Sequence, residues 1–214
     1  AIEIGTRLLR LEPLHEPAHG QVRDLHGEVN GILRPVERVH ACATTHDHCS
    51  EELLERADGL KMLRASLDSV RPRAPGRLVL VAGDAGVGKT ALLRRFCDDC
   101  GSRARVLWGA CEPLFTPRPL GPLFDVAESV GGRLAALVVG GAASHEVIGA
   151  LGAELRAHLP TVFVLEDAHW ADEATLDLVR LLARRMETIA ALVVVTYRDD
   201  ELEPTHPLRI VLGD

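Results

Sequence analysis

Residues 83–90 combine glycines, a lysine and a threonine at a spacing that suits phosphate binding. They read Gly-Asp-Ala-Gly-Val-Gly-Lys-Thr and fit the pattern G-x-x-x-x-G-K-[ST] at every position. Glycines let several backbone N–H groups turn toward one anion with no side chain in the way. Lys89 can reach the β- and γ-phosphates of a nucleoside triphosphate, and Thr90 can place its hydroxyl on Mg²⁺. The residues predicted to bind the nucleotide are Gly83, Asp84, Ala85, Gly86, Val87, Gly88, Lys89 and Thr90.

Local context separates such a phosphate loop from a chance glycine-rich turn, because the loop must follow a strand and begin a helix. Residues 77–82 form a short apolar run typical of a buried strand, and residues 90–97 have a helical pattern. The positive end of that helix would face the bound anion. Both requirements are met, so the chance turn is the weaker interpretation.

Two adjacent carboxylates, Glu166 and Asp167, directly follow the apolar run at residues 161–165. At the end of a strand, one carboxylate can hold the water shell of Mg²⁺, and the other can orient or activate the attacking water. By position we predict the metal role for Glu166, together with Thr90, and the water role for Asp167. The alternative interpretation is an acidic cap for the helix that follows.

Arg198 comes just after another apolar run, residues 191–196. Phosphate chemistry takes place at the carboxyl ends of parallel strands, so an arginine at this point can sense the γ-phosphate. In the alternative, Arg198 is a surface residue paired with Asp199 or Asp200. The residues predicted to take part in catalysis are Lys89, Glu166, Asp167 and Arg198.

The elements that must position these residues alternate along the second part of the chain. Apolar strand-like runs are found at residues 77–82, 105–108, 161–165 and 191–196. Helical patterns are found between and after them, at residues 90–97, 144–159 and 172–186, the last with Asp172 as its cap. This alternation predicts an α/β fold with a parallel sheet of four core strands between layers of helices. The glycine-rich stretch at residues 131–141 suits either a helix or a loop.

The first part of the chain has helical patterns and no strand-like run. We predict helices over residues 1–11, 16–30, 32–45 and 50–70, the last with Ser50 as its cap. Two prolines and a glycine at residues 71–76 interrupt the helical pattern. The predicted organisation is therefore a helical segment at residues 1–48, a helix and linker at 49–76, and the α/β domain at 77–214.

Composition excludes several classes of protein. The 214 residues are 47% hydrophobic and carry a formal net charge of −7, which does not fit a disordered chain. Five cysteines are too few, and odd in number, for a disulfide-stapled module. No apolar run is long enough to span a membrane, and we expect a cytoplasmic protein with no membrane partner. The acidic charge and 3% aromatic content disfavour direct binding of nucleic acid by this chain.

Two groups of cysteine and histidine residues invite a metal or redox interpretation that we disfavour. The spacing in residues 40–49 matches no known arrangement of zinc ligands. Cys97 and Cys100 form a C-x-x-C pair at the end of a helix, whereas a redox pair needs its first cysteine at a helix N-terminus. We therefore expect both thiols to be unreactive.

Residues 51–212 resemble the nucleotide-binding domain of STAND-type ATPases, which are related to AAA ATPases. More closely, they resemble the ATPase segment of large bacterial transcriptional regulators of the LuxR and SARP kinds. The matching stretches are LVLVAGDAGVGKTALL at 78–93, GACEPLFTPRPLGPL at 109–123, VLEDAHWADEATLD at 164–177 and VVVTYRDDEL at 193–202. The resemblance implies ATP and Mg²⁺ as cofactors, and a nucleotide that acts as a switch for assembly or DNA binding elsewhere in a long chain.

Residues 8–19 and 39–45 also resemble the helical, TPR-like activation domain of SARP regulators. Sheets of the resembled ATPases have five core strands in the order 5-1-4-3-2, of which the sequence pattern shows four. We therefore expect an incomplete domain, truncated at its C-terminus. The resemblance implies ATP and ADP as ligands, the missing C-terminal domains and other protomers as partners, and DNA contact only through domains absent from this chain.

Four functions remain open at this point. The leading one is an ATP-binding switch with slow or no hydrolysis. The others are an ATPase enzyme whose turnover is the output, a P-loop kinase acting on a small molecule, and a helical interaction module with an inert nucleotide site. The kinase is disfavoured because acidic residues after a strand suit water activation and no arginine-rich lid is evident. The motifs do not distinguish adenine from guanine, and ATP is what the resemblance implies.

Overall fold

A computed structural model of the chain describes residues 6–11, 48–114, 116, 118–203 and 205–212. Within these residues, strands and α-helices follow one another, with short 3₁₀ turns at Gly101–Arg103 and Ala168–Trp170. The elements are β1 (Thr6–Leu11), α1 (His48–Asp68), β2 (Arg77–Gly83), α2 (Lys89–Cys100), β3 (Arg105–Ala110), α3 (Leu123–Val130), α4 (Gly132–Val139), α5 (Ser144–Ala157), β4 (Thr161–Glu166), α6 (Glu173–Arg185), β5 (Ala191–Thr196) and α7 (Pro207–Leu212).

The strands form one parallel sheet in the order β1-β2-β5-β4-β3. Every residue of β4 and β5 is buried, as expected for central strands that are covered on both faces. The predicted α/β fold with a parallel sheet is confirmed, and each of the predicted strands is present. Because parallel strands end at the same edge, the segments that follow β2, β4 and β5 lie side by side.

Helices cover both faces of the sheet. On one face, Leu63 from α1 and Leu93 and Phe96 from α2 are fully buried against valines of β2, β4 and β5. Residues from α3, α4, α5 and α6 form the larger core on the other face. Complete burial of a leucine or phenylalanine side chain contributes about 1.5–3 kcal/mol. The layers therefore hold α2, and the loop before it, firmly against the end of the sheet.

The strand β1 corrects the prediction of a helix over residues 1–11. Residues 6–11 pair with β2 in parallel register, with Leu8 opposite Leu80 and Leu11 opposite Gly83. A short apolar run does not distinguish helix from strand by its periodicity, and β2 offers an edge that such a run can join. β1 therefore occupies the position beside β2 where the resemblance implies a fifth strand. The helices predicted at 16–30 and 32–45 lie outside the described residues.

Other boundaries differ by smaller amounts. α1 begins at His48, so Ser50 lies inside the helix and is not its cap. α6 begins as predicted: the Asp172 side chain accepts a hydrogen bond from the Thr175 N–H. The glycine-rich stretch at 131–141 contains a helix, α4, and α3 before it was not predicted. The limits proposed for the three segments of the chain stay a prediction.

Candidate nucleotide-binding site

The loop between β2 and α2 has the backbone conformation that its glycines permit. Gly86 and Gly88 have φ angles of +76° and +95°, a region that side chains with a Cβ rarely adopt. A Cβ added at Gly86 would meet no atom within 4 Å, so this glycine serves backbone conformation and not packing. Ala85 is exposed, whereas Asp84 and Val87 are half-buried. The loop leaves its backbone N–H groups free of bulky side chains at the N-terminus of α2.

The side chain of Lys89, the first residue of α2, reaches back into this loop and is buried there. Its Nζ donates hydrogen bonds to the carbonyl oxygens of Gly83, at 2.7 Å, and Asp84, at 2.8 Å. The residue is 7% exposed, and burial lowers the pKa of its ammonium group, although the Asp167 carboxylate opposes this effect. The charge is thereby held at the start of the loop, where it can reach phosphate groups. Thr90, the next residue, is exposed in the first turn of α2.

Glu166 ends β4 on the sheet face that carries α2. Val162 and Val164 of the same strand lie against α2, and Glu166 follows them by alternation. It is 8% exposed, and its Oε2 accepts a hydrogen bond of 3.0 Å from the indole Nε1 of Trp108 on β3. Its Oε1 is buried and has no hydrogen-bond partner among the described residues.

A magnesium ion fits this donor set. Mg²⁺ is usually held through one or two carboxylates, several waters and the phosphates of a nucleotide, not by a cage of protein ligands. Glu166 provides a buried carboxylate oxygen that still needs a partner, and Thr90 provides an exposed hydroxyl. In the part of the chain that the structure describes, His, Cys, Asp and Glu side chains form no cluster of three or more suited to a metal. Glu166 and Thr90 would therefore hold the ion, which would neutralise part of the negative charge of the phosphates.

Asp167 adopts a left-handed conformation, with φ of +54°, that is uncommon for a residue other than glycine. Its backbone N–H donates a 2.9 Å hydrogen bond to the hydroxyl of Thr196, which ends the neighbouring strand β5. The turn directs the chain from β4 into the 3₁₀ turn at residues 168–170 and leaves the Asp167 side chain half-buried. The structure thus fixes the backbone of this carboxylate from an adjacent strand.

Arg198 lies near Lys89 and Asp167, close enough for the charges of all three to influence one another. Its guanidinium pairs with Glu201 and lies over the ring of Trp170, 4.9 Å from the ring centroid. The hydrogen bond with Glu201 raises the pKa of Arg198. Arg198 thus pairs with an acidic residue of its own segment, as the alternative interpretation expected, although the partner in this ion pair is Glu201. Its role in sensing the γ-phosphate stays a prediction.

Several residues at the site were not identified from the sequence. The Asp199 side chain accepts a 2.9 Å hydrogen bond from the N–H of Gly83 and so connects the end of β5 to the loop. The imidazole of His169 is buried between Asp167 and Glu201, with its Nε2 3.3 Å from Glu201, and burial lowers its pKa. These contacts depend on which strands are neighbours. Residues 169–172, His-Trp-Ala-Asp, lie in one of the stretches that carry the resemblance, but they do not indicate these partners.

The cysteines of α2 agree with their predicted lack of reactivity. Cys97 and Cys100 are free thiols, and burial raises the pKa of both, that of Cys97 to about 12. A neutral, buried thiol is a poor nucleophile and a poor metal ligand. Most of the cysteine and histidine group at 40–49 lies outside the described residues, so its interpretation stays a prediction. None of the helices in the described ranges has the length and apolar character needed to cross a membrane.

A glycine-rich loop between a buried strand and a helix, next to a strand that ends in carboxylates, defines a P-loop nucleoside-triphosphate-binding fold. Residues 52–195 match the AAA ATPase domain family, and the chain belongs to that family.

Individual relatives are more distant. The chain is 26% identical over 208 residues to an uncharacterized protein of Rhizobium meliloti (strain 1021), a match that covers 75% of this chain and 20% of that protein. The chain thus spans about a fifth of the length of this relative. Among solved structures, it is similar to a chain of Drosophila ORC bound to DNA, with 14% identity, a TM-score of 0.45, and coverage of 74% of this chain and 82% of that one. It is also similar to C. elegans PCH-2, with 16% identity, a TM-score of 0.40, and coverage of 79% and 42%.

Proposed function

We propose that this domain is an ATP-binding switch of a bacterial transcriptional regulator, with Mg²⁺ as its metal and slow or no hydrolysis. The observation that carries the proposal is the buried ammonium of Lys89, held on the P-loop carbonyls and influenced by the charge of Asp167. In this role Lys89 binds the β- and γ-phosphates, Glu166 and Thr90 hold the metal, and Asp167 orients water. Adenine is proposed as the base because the sequence resembles regulator ATPases.

The segment that follows β5 supports a switch. Asp199 accepts a hydrogen bond from Gly83 in the P-loop, and Arg198 is paired with Glu201. A ring nitrogen of His206 lies 2.9 Å from the carbonyl oxygen of His169, in the turn after the acidic pair. One segment therefore contacts both phosphate-facing parts of the site and leads directly into α7. A change in the bound phosphates would act on these contacts and be passed along the chain.

In this proposal the partners of the domain are further domains of a longer polypeptide and other protomers, in the cytoplasm. DNA is contacted by such domains and not by this one, in keeping with the net charge of −7. The second candidate is an ATPase whose turnover is itself the output. The hydrogen bond from Asp167 to Thr196 favours it, because a water-orienting carboxylate must be held in place. An inert nucleotide site is the remaining alternative.

Calorimetric titration with ATP and ADP, each with Mg²⁺, tests nucleotide binding by this chain. The comparison is between the wild-type chain, Lys89→Ala and Lys61→Ala. Lys61 is the other lysine of the chain, exposed on α1 and remote from the P-loop by sequence, and is a matched control. Loss of charge-assisted hydrogen bonds to phosphate should weaken binding by Lys89→Ala about 10- to 100-fold. Lys61→Ala should bind as the wild type does. Equal binding by all three chains, or by none, would contradict the proposal.

A second variant separates the switch from the enzyme. Asp167→Asn removes the charge that would activate water but keeps the size of the side chain. If the domain is an enzyme, phosphate release falls while ATP affinity is unchanged. If it is a switch, there is no appreciable rate to lose, and what changes is the difference that ATP and ADP make to partner binding in the longer protein.

A further inference from the structure

The hydrogen bond between Trp108 and Glu166 joins two neighbouring strands at the proposed metal site. In the register of β3 and β4, Trp108 lies opposite Val164, two residues before Glu166, so both side chains project from the same sheet face. The indole therefore reaches diagonally along the strand to the carboxylate, and Nε1 lies 3.0 Å from Oε2. Its ring packs against the apolar cluster between the sheet and α2.

The contact divides the two oxygens of Glu166 between different tasks. Oε2 is occupied by the indole N–H, whereas Oε1 is buried without a hydrogen-bond partner among the described residues. An indole N–H only donates, so it can bind an anion but cannot compete for a cation. A hydrogen bond to a charged acceptor is stronger than a neutral one, and it limits rotation of a long, flexible side chain.

From this arrangement we propose that Trp108 is a positioning residue for Mg²⁺, which holds Glu166 so that Oε1 is presented to the hydrated ion. The proposal rests on the function proposed above and names how its metal ligand is oriented. Ligand-orienting partners of this kind typically change metal affinity or activity about 10- to 100-fold when they are removed. The simpler alternative is that Glu166 only accepts a hydrogen bond from a half-buried indole, in which case Mg²⁺ affinity does not depend on Trp108.

The test is the Mg²⁺ dependence of ATP affinity, measured by calorimetry on the full chain carrying Trp108→Phe. Titrations with ATP are run in EDTA and at a series of Mg²⁺ concentrations. In EDTA, the variant should bind ATP within about twofold of the wild type, because Lys89 and the P-loop are intact. The factor by which Mg²⁺ strengthens ATP binding should fall about tenfold. A merely structural role would weaken binding equally with and without the metal.

Val106→Ala is the matched control. Val106 precedes Trp108 by two residues, projects from the same face of β3 and packs against the same cluster, but has no donor for Glu166. It should reproduce the loss of packing and leave the Mg²⁺ effect unchanged. A second comparison uses Glu166→Asp, which withdraws the carboxylate by one carbon–carbon bond, roughly 1.5 Å, and so out of reach of the indole. In that background Trp108→Phe should have no further effect on the Mg²⁺ dependence.

Fluorescence keeps the proposal testable should Trp108→Phe fail to fold. Trp108 and Trp170 are the two tryptophans of the chain, so Trp108 is the sole tryptophan emitter in Trp170→Phe. Adding Mg²⁺ to the ATP complex of that chain should change the emission of Trp108. Unchanged emission, or a Trp108→Phe chain with the wild-type Mg²⁺ effect, overturns this inference while ATP binding stands. If the wild-type chain binds no nucleotide, the proposed function fails first and this inference with it.

Discussion

Replacing Thr196 by valine should destabilise the domain by removing the hydrogen bond that holds the turn at Asp167. Thr196 is 1% exposed, and its hydroxyl accepts the Asp167 N–H at 2.9 Å. Valine has nearly the same shape but no acceptor, so this N–H loses its partner. An unsatisfied buried donor costs about 1–3 kcal/mol, and the extra apolar methyl offsets less than about 1 kcal/mol of that. The net change in the free energy of unfolding should be about 1–2 kcal/mol.

The assay is urea denaturation followed by circular dichroism, with the slope of the transition compared between variants. Thr188→Val is the control, because the Thr188 hydroxyl is exposed and donates only to the carbonyl of Arg185. We expect it to change the free energy of unfolding by less than about 0.5 kcal/mol. The reasoning is refuted if Thr196→Val is as stable as the wild type, or more stable, with the same slope.

The same variant has a functional consequence. The left-handed conformation of Asp167 costs about 1–2 kcal/mol for a residue with a Cβ. Without the bond to Thr196, the turn should relax and move the Asp167 carboxylate. ATP affinity should stay within about twofold of the wild type, because Lys89 is untouched, whereas any phosphate release should fall. A loss of ATP affinity with phosphate release per bound ATP unchanged would contradict this division of roles.

Three further changes test the packing, the thiols and the arginine. Gly109→Ala should destabilise the domain by about 1–3 kcal/mol in urea denaturation, because the added Cβ would lie 2.4 Å from the carbonyl oxygen of Pro122. Burial raises the pKa of the Cys97 thiol to about 12, whereas the thiol of the unfolded chain ionises near pH 9. Because the folded state keeps this proton longer, the free energy of unfolding should fall as the pH rises from 9 toward 12. Glu201→Gln should release Arg198 and strengthen the calorimetric preference for ATP over ADP by up to about fivefold, since an exposed ion pair contributes at most about 1 kcal/mol.

Each of these predictions has its own contrast. Gly149→Ala should be neutral or stabilising. Gly149 is exposed on α5, and a Cβ added there would meet no atom within 4 Å. Equal effects of alanine at Gly149 and at Gly109 would refute the packing argument. Rapid alkylation of Cys97 in the folded chain at pH 8 would refute the thiol argument. If Glu201→Gln instead weakens the preference for ATP over ADP, the ion pair with Glu201 positions Arg198 for ATP and does not hold it away from the nucleotide.

The parts of this fold that were predictable are those with a local signal. The P-loop could be located because its glycines, Lys89 and Thr90 lie within eight residues, between an apolar strand and a helix. The cap at Asp172 is equally local, because its partner Thr175 is three residues away. Such features depend on neighbours along the chain, which the sequence displays directly.

The remaining features depend on which strands are neighbours in space. Leu8 and Leu9 suit a helix or a strand equally well, and β2 is what makes them a strand. Trp108 and Glu166 are 58 residues apart, and only the register of β3 with β4 brings them together. The bond between Gly83 and Asp199 spans 116 residues. Tertiary pairing of this kind has no local signal in a single sequence.

The position of β5 in the sheet has a consequence for how the domain is made. Among the described residues, β5 is the last strand in chain order, yet it lies between β2 and β4. During synthesis, β2 with its P-loop and the β3–β4 pair leave the ribosome before β5. Until β5 is made, β2 and β4 each have one edge whose backbone groups are unpaired. Lys89 and Asp167 meet only when β5 inserts between them, a contact of long sequence separation that forms slowly. Nascent chains that end before β5 should therefore be prone to aggregation, and the proposed nucleotide site, which needs Lys89 and Asp167 together, would form only once β5 has paired.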